Sequence, residues 1–401
     1  MFELLGAASL PEISLPAAAN LLGLTERGAV STFEVLERAS LIEQHVPGRW
    51  RMHDLIQLYA AQQARKIQPT IHQEVALDRL VYFYLHSAHS ADRVINPRRP
   101  PIEISSPGSS CRPLSFSDPV KARDWFGSEL ACLRSVQVLA VESGRCHRAA
   151  WQLTWAMDTY QYRQGYLHER IAAWRSALAA AQTEGDAVAL IMVHRLFGHA
   201  YTRVGKHTKA TTHLRQALNL AEEIADDFGQ AQVHYTLTKA WEEKGETRRA
   251  LEHAMSALRI FQNLNDATWE ANALSMVGLY SARLGNHQEA RTFCQKSLSL
   301  CRHNNERQGE AQALSNLGYV GELAAQPNEA LSYYRQALDL FRILGHVYYE
   351  ANSLDCLGRV SFSINDLGQA RAAWEGALLI YQDQGRQADC DRIKRKLREL
   401  G

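Results

Sequence analysis

Histidine, cysteine and carboxylate side chains are where chemistry would begin in this chain of 401 residues, which holds 16 histidines and seven cysteines. His86, His89 and Asp92 stand three apart on a helix-like stretch, a spacing that turns two imidazoles and a carboxylate to one side. Histidines at such spacing are common in a chain this rich in them, and no metal is assigned. Cys294 and Cys301 lie seven apart on one helix face, where thiols serve as small buried hydrophobes. No CxxC pair occurs and the cysteine count is odd, which fits a reducing cytoplasm. The sequence has no Ser/His/Asp elbow, no HExxH, no paired carboxylates and no GxxxxGK[ST] loop, so no enzyme activity is expected. One short stretch keeps its interest: Met52-His53-Asp54. An aspartate opening a helix binds free backbone N–H groups, and the helix's positive end lies beside it.

Composition narrows what surrounds these residues. Lys+Arg 44 against Asp+Glu 43 leaves a net charge of +1, too even for a strongly basic nucleic-acid binder. No apolar run approaches the ~20 residues that cross a bilayer, and MFELLGAASLPE lacks the features of a signal peptide. Most of the 11 prolines cluster between Pro97 and Pro119, in NPRRPPIEISSPGSSCRPLSFSDP, which cannot hold a helix. Beyond Pro119 only Pro327 remains, in a stretch rich in Ala, Leu, Gln, Glu and Arg that reads as consecutive helices.

Those helices repeat. Ala210, Ala250, Ala290, Ala330 and Ala370 stand 40 residues apart, as do Ala217-Leu218, Ala257-Leu258, Ser297-Leu298, Ala337-Leu338 and Ala377-Leu378. Gly198, Gly278, Gly318 and Gly358 keep the same step, with Thr238 as the exception. Gly205, Gly245 and Gly285 mark a turn inside each unit, and one step earlier Gly165 and Ala177-Leu178 fit although Arg170 replaces the alanine. A period held over about six units predicts stacked helical hairpins with small residues where helices cross. The pattern LxxxG…GxxxxA…AL resembles tetratricopeptide (TPR) repeats in a long variant. The terminal helix ADCDRIKRKLREL, basic from Arg392 to Arg398, is expected to be a solvated cap.

If the recurring glycine belongs to the first helix of each hairpin, residues at fixed offsets from it face the concave groove. These include Arg195, His199, Arg203, Tyr235, Lys239, Asn272, Arg283, Asn316, Tyr319, Asn352, Asp355 and Arg359. They vary while the packing positions stay fixed, which suits recognition of a peptide, a protein segment or a small acidic ligand. A solvated helical surface would also be polar.

Upstream, residues 1–69 read as helix, helix, hairpin and helix. Ser14 would cap a helix that stops at Gly23, a second helix follows Thr25, a hairpin turns at Pro47-Gly48, and a helix restarts at Asp54. This is the layout of a winged helix. Six Lys/Arg (Arg27, Arg38, Arg49, Arg51, Arg65, Lys66) against seven acids (Glu3, Glu12, Glu26, Glu34, Glu37, Glu43, Asp54) disfavour direct DNA binding.

The run AAANLLGL…LERASLIEQHVPGRWRMHDLIQLYAAQQA resembles the winged-helix segment that follows the nucleotide-binding (NB-ARC) module in actinobacterial regulators of the SARP/AfsR type, in the STAND class of signal-transducing ATPases. ALDRLVYFYLHSAHSADRVINP, the proline-rich loop and DWFGSELACLRSVQVLA are similar to that family's bridge into TPR repeats. The resemblance implies that Met52-His53-Asp54 is the MHD motif, with His53 as sensor of the ADP β-phosphate and Asp54 orienting the loop. It implies ADP or ATP as cofactor of a nucleotide-binding module. This chain has no phosphate-binding loop, so no cofactor of its own is expected, and it would be a C-terminal portion of a larger regulator or a homologue without the ATPase. A structural turn residue is the competing role for His53. The expected fold is an all-α TPR-like solenoid behind a small winged helix: 1–69 winged helix, 70–146 helical bridge with the loop at 96–119, and 147–401 TPR superhelix. The expected function is a cytoplasmic sensor region whose groove binds a protein, peptide or small-molecule inducer and relays to the nucleotide-binding and DNA-binding modules of the same regulator. A free-standing TPR scaffold is the alternative.

Overall fold

The computed structural model describes residues 2–66, 71–104, 106–108 and 110–400, so the expected boundary at 69/70 lies outside the described residues. By contacts the chain divides into two units: Met1–Tyr160 with Ala172–Asp186, and Gln161–Ile171 with Ala187–Gly401.

The first unit begins with α1 (Phe2–Ala8), β1 (Ile13–Ser14), α2 (Leu15–Leu22), α3 (Glu26–Arg38), β2 (Glu43–Val46), β3 (Arg49–Arg51) and α4 (Asp54–Lys66). Gly23 ends α2 at φ 68, and the Thr25 side chain caps α3 by accepting from Gly28 N at 3.2 Å. The strands form an antiparallel sheet in the order β1-β3-β2, the small wing of a winged helix. Sequence reasoning missed β1, whose two residues carry no alternation to read. It also misjudged Ser14, which sits at the N-cap position with no side-chain cap bond. Edge-on packing of Phe33 and Trp50, ring centroids 5.0 Å apart, joins α3 to the sheet. Behind this lie α5 (Ile71–Ile95) and α6 (Pro119–Glu142), separated by the proline-rich loop. The loop is tied down: Asn20 Oδ1 accepts from Arg112 N at 2.7 Å, and the hydroxyls of Ser87 and Ser90 accept from Leu114 N at 2.9 Å and Phe116 N at 3.0 Å.

The helical hairpins start with α7 (His147–Gln164) and α8 (Leu167–Glu184), each divided between the two units. In the second unit follow α9 (Ala187–Arg203), α10 (His207–Glu223), α11 (Asp227–Glu243), α12 (Thr247–Asn263), α13 (Ala267–Arg283) and α14 (His287–His303). Then come α15 (Arg307–Leu323), α16 (Pro327–Ile343), α17 (Val347–Ser363), α18 (Leu367–Asp383) and the terminal α19 (Gln387–Glu399). The glycine column lies where two helices of one hairpin cross: a Cβ on Gly198, Gly278, Gly318 or Gly358 would run into Leu214, Cys294, Tyr334 or Trp374, each 16 residues on. At the exceptional Thr238 the residue 16 further on is Ala254, fully buried. The larger residue thus faces the smaller one, and the packed volume is kept.

The turns carry a second period. Residues 165, 185, 205, 225 and so on to 385 all have positive φ, so a left-handed residue ends every helix on a stride of 20. Glycine fills most of these positions, but Ala225 and Ala325 adopt φ 54 and φ 55. A Cβ in this region costs about 1–2 kcal/mol. Changing alanine to glycine loosens the unfolded chain by about 0.4–1 kcal/mol. Relief of the strain outweighs that loosening, so Ala325→Gly is expected to stabilise the array by about 0.5–1 kcal/mol in urea unfolding. A loss of stability would show that the turn is relaxed.

Candidate functional site

The first helices of the hairpins, α9, α11, α13, α15 and α17, carry all the groove residues expected from the sequence. Of these only Arg283 is exposed; Asn316 and Asp355 are buried and the others are half-buried. The array divides them into two groups.

The later members fasten the array. Asn316 Nδ2 donates to Ser275 O at 3.0 Å and to its Oγ at 2.8 Å. Asn352 Oδ1 accepts from Arg386 at 3.0 Å, and the Arg359 guanidinium makes a two-pronged contact with Glu322 at 2.5 and 2.8 Å. Asp355 accepts from Trp374 Nε1 at 3.2 Å and pairs with Arg392 at 2.5 Å and Lys396 at 3.4 Å. The basic cluster of α19 is therefore not wholly solvated, because two of its cations turn inward to this carboxylate.

The earlier members form a polar and aromatic cluster with residues that sequence reasoning missed. Arg203 Nη2 donates to Tyr162 Oη at 2.6 Å and to Tyr349 Oη at 2.8 Å, and the two hydroxyls are 2.9 Å apart. Tyr162, Tyr348 and Tyr349 place their rings 5.3–5.8 Å from the same guanidinium. Lys239 and Arg283 share one carboxylate, Glu242, at 2.5 and 2.6 Å. Burial pushes the Glu242 carboxyl up, but the two cations together hold it below the usual range. Arg283 also lies 5.4 Å over the Tyr319 ring, and Tyr235 meets Trp269 edge-on at 5.4 Å. Asn272 and Arg195 are half-buried on α13 and α9.

His199 Nδ1 is 3.1 Å from Arg170, the residue that interrupts the alanine column and is only 1% exposed. Burial, then the neighbouring cations Arg170, Arg203, Arg195 and Lys239, keep His199 neutral far below its usual range. The fully buried His346 is held neutral in the same way, chiefly by burial and then by Arg163 and Arg203. Arg170 was the one available signal in the sequence: an arginine in a small-residue column needs company. Nothing in the repeat period points to Tyr162 or Tyr349.

The C-terminal end of α7 and the turn after it belong to this cluster. Arg163 Nη1 donates to Leu344 O at 3.3 Å and Nη2 to Gln308 Oε1 at 2.7 Å. Gln164 reaches Gly345 O at 3.5 Å. A side chain on Gly165, which has φ 82, would collide with Gln384. The inner face of the second unit is thus lined in part by the chain's own Tyr162–Gly165 segment.

His53 and Asp54 lie elsewhere, in the first unit. Asp54 opens α4, and His53 is 67% exposed with Nε2 3.6 Å from Glu43. One imidazole beside a carboxylate does not make a phosphate cradle, so these two residues alone do not form a nucleotide site. His86, His89 and Asp92 do not converge: Asp92 pairs with Arg99 at 3.3 Å and His89 stacks on Trp155 at 5.9 Å. Among the described residues no group of three or more His, Cys, Asp or Glu is placed to hold a metal. Among them, too, no helix is long and apolar enough to cross a membrane.

Fold and inner face together define a tetratricopeptide-repeat solenoid preceded by a winged helix, and the tetratricopeptide repeat family matches residues 188–263 and 269–343. The chain is homologous to AfsR-type regulatory proteins. It is 33% identical over 223 residues to regulatory protein AfsR of Streptomyces griseus, covering 54% of this chain and 22% of that one. Against AfsR of Streptomyces coelicolor it is 32% identical over 196 residues, covering 46% and 19%. The chain therefore spans about a fifth of the length of these relatives. Among solved structures, a STAND protein with a tetratricopeptide repeat sensor from Pyrococcus horikoshii aligns with TM-score 0.46 and 15% identity, covering 99% of this chain and 63% of that one.

Proposed function

We propose that this chain is the sensor and regulatory region of a STAND-type transcriptional regulator, non-enzymatic and cytoplasmic. Homology to AfsR regulatory proteins carries this reading. The repeat array binds an inducer or protein partner on its inner face, where Arg195, His199, Arg203, Tyr235, Lys239, Asn272, Arg283 and Tyr319 supply charge, amide and aromatic contacts. The winged helix relays that event to a nucleotide-binding module, in whose presence His53 meets the ADP β-phosphate and Asp54 orients the loop. Relay of this kind requires the bound ligand to favour one of two states.

Capture from cell lysate by the tagged chain, with the bound species identified by mass spectrometry, tests the groove. Arg195→Ala, Tyr235→Ala and Asn272→Ala combined are expected to abolish capture while circular dichroism and the melting curve keep the helical fold. Capture that persists in a folded triple variant overturns the groove as the binding site.

A further inference from the structure

The Arg203 cluster has a chemistry that fold alone does not require. Arg203, Lys239 and Arg283 stand on three successive first helices, and among the described residues Glu242 is the one carboxylate they bond. Arg203 itself does not share in that carboxylate: both of its short hydrogen bonds end on phenol oxygens. A guanidinium is never neutral in a protein, and its planar fork matches a carboxylate or phosphoryl group far better than a phenol. All three cations keep some solvent access, so a ligand can reach them. The oxygens of Tyr162 and Tyr349 converge on Arg203 Nη2 with 2.9 Å between them. This is wider than the bite of a carboxylate, but the two oxygens occupy the places where two ligand oxygens would sit.

We propose that Arg203, with Lys239 and the Tyr349 hydroxyl, is a binding site for an oxyanion, and that the Tyr162 hydroxyl is an internal stand-in which leaves when the ligand arrives. The proposal rests on the groove reading and names the chemistry of its ligand: a carboxylate or phosphoryl group, carried by an acidic peptide or by a small phosphorylated molecule. A site that already favours negative charge accounts for the behaviour of Tyr349. Burial pushes its phenol up, yet Arg203 and Lys239 draw it below the ordinary tyrosine range. Tyr162, the competing oxygen, arrives from the last turn of α7, held by the side chains of Arg163 and Gln164, which donate to the carbonyls of Leu344 and Gly345. Displacing it exchanges a guanidinium–phenol hydrogen bond, charged on one side only, for a guanidinium–oxyanion bond charged on both, which is the stronger of the two.

Isothermal titration of the whole chain at fixed ionic strength, with inorganic phosphate in one arm and a hexaglutamate peptide in the other, tests this. One-to-one binding in either arm is expected, and the arm that binds identifies the source of the oxyanion. Arg203→Gln should weaken binding by about tenfold or more, the scale of one charged hydrogen bond. Arg203→Lys, which keeps the cation, should recover part of it. Tyr162→Phe, which removes the competing hydroxyl, should tighten binding. Lack of binding in both arms overturns the proposal, as does equal affinity of a folded Arg203→Gln chain or weaker binding by Tyr162→Phe. A partner captured by the wild type and lost in the Arg195/Tyr235/Asn272 variant, with both probes inert, would leave the groove reading standing and remove this one alone.

Discussion

Between pH 7 and pH 5 the melting temperature of the repeat array falls, and the fall steepens below about pH 6.5. The cause is a set of histidines kept neutral in the folded state. His194 and His253 are pushed down to about 4, by burial first and then by the histidine facing each. His213 and His234 are lowered chiefly by burial, and His199 and His346 lie well below 6.5. Four of these form two matching contacts one repeat apart: His194 Nδ1 to His213 Nδ1 at 2.9 Å, and His234 Nδ1 to His253 Nδ1 at 2.8 Å. Each contact needs one nitrogen bare to accept the other's proton. In the unfolded chain these imidazoles protonate near 6.5, whereas in the folded chain His194 and His253 resist until about pH 4 and the others are held below their ordinary range by burial. The unfolded state therefore binds more protons across that window, and stability is lost as pH drops through it. Between about pH 6 and pH 4 His194 and His253 each contribute a slope approaching about 1.4 kcal/mol per pH unit, and the other histidines add in the same direction. The depressed carboxyl Glu242 does not act in this window, since it loses its contribution only at lower pH. Melting curves at pH 7, 6 and 5 in buffers of equal ionic strength check the account; a flat midpoint would show that the imidazoles titrate as freely folded as unfolded.

In the first unit, Arg49→Ala is expected to cost about 3–5 kcal/mol, the range for breaking a buried ion pair from one side. Arg49 on β3 reaches Glu129 on α6 at 2.6 Å and Glu12 at 2.5 Å, while Tyr84 donates to the other Glu129 oxygen at 2.9 Å. Glu129 is 2% exposed, so without the guanidinium its charge is stranded away from water. Adding Glu129→Leu should restore much of the loss, because an apolar replacement has no charge to strand. Urea unfolding measures both variants; a single-variant loss under about 1 kcal/mol would mean that water enters and solvates Glu129. The pair also bears on nucleic acid: Arg49 and Arg51, two of the six cations counted against a DNA backbone, are committed to Glu12, Glu129 and Glu43.

The architecture was readable because helix crossings demand small residues. Gly198, Gly278, Gly318 and Gly358 recur since any side chain there meets the opposite helix, and a constraint imposed once per hairpin prints a period in the sequence. The left-handed turns were half readable: Gly205, Gly245 and Gly285 stood out, while Ala325 and Asn365 fill the same place and give no sign of it. The winged helix showed itself through Thr25, Pro47-Gly48 and Asp54, whose residue types suit caps and turns. The centre of the candidate site was not readable. Tyr162 and Tyr349 are 187 residues apart, and their meeting depends on how far the stacked hairpins curve, a sum of small rotations that no single residue encodes. The same limit applies to Asn352 and Asp355. They lie on the inner helices as expected, but their role as fasteners for α19 depends on Arg386, Arg392 and Lys396, which lie outside their own repeat.

A stack of hairpins in which each touches only its neighbours can unravel from either end, one unit at a time. The turn at Gln164 and Gly165 forbids that here, because Gln164 holds Gly345, 181 residues away, and Gly165 packs against Gln384. Such a clasp links the early hairpins to the late ones, so the second unit should lose its amide protection against deuterium in a single concerted step rather than by progressive peeling. It also closes last during folding, after the longest loop in the unit has been drawn together, which makes it the natural bottleneck for the refolding rate.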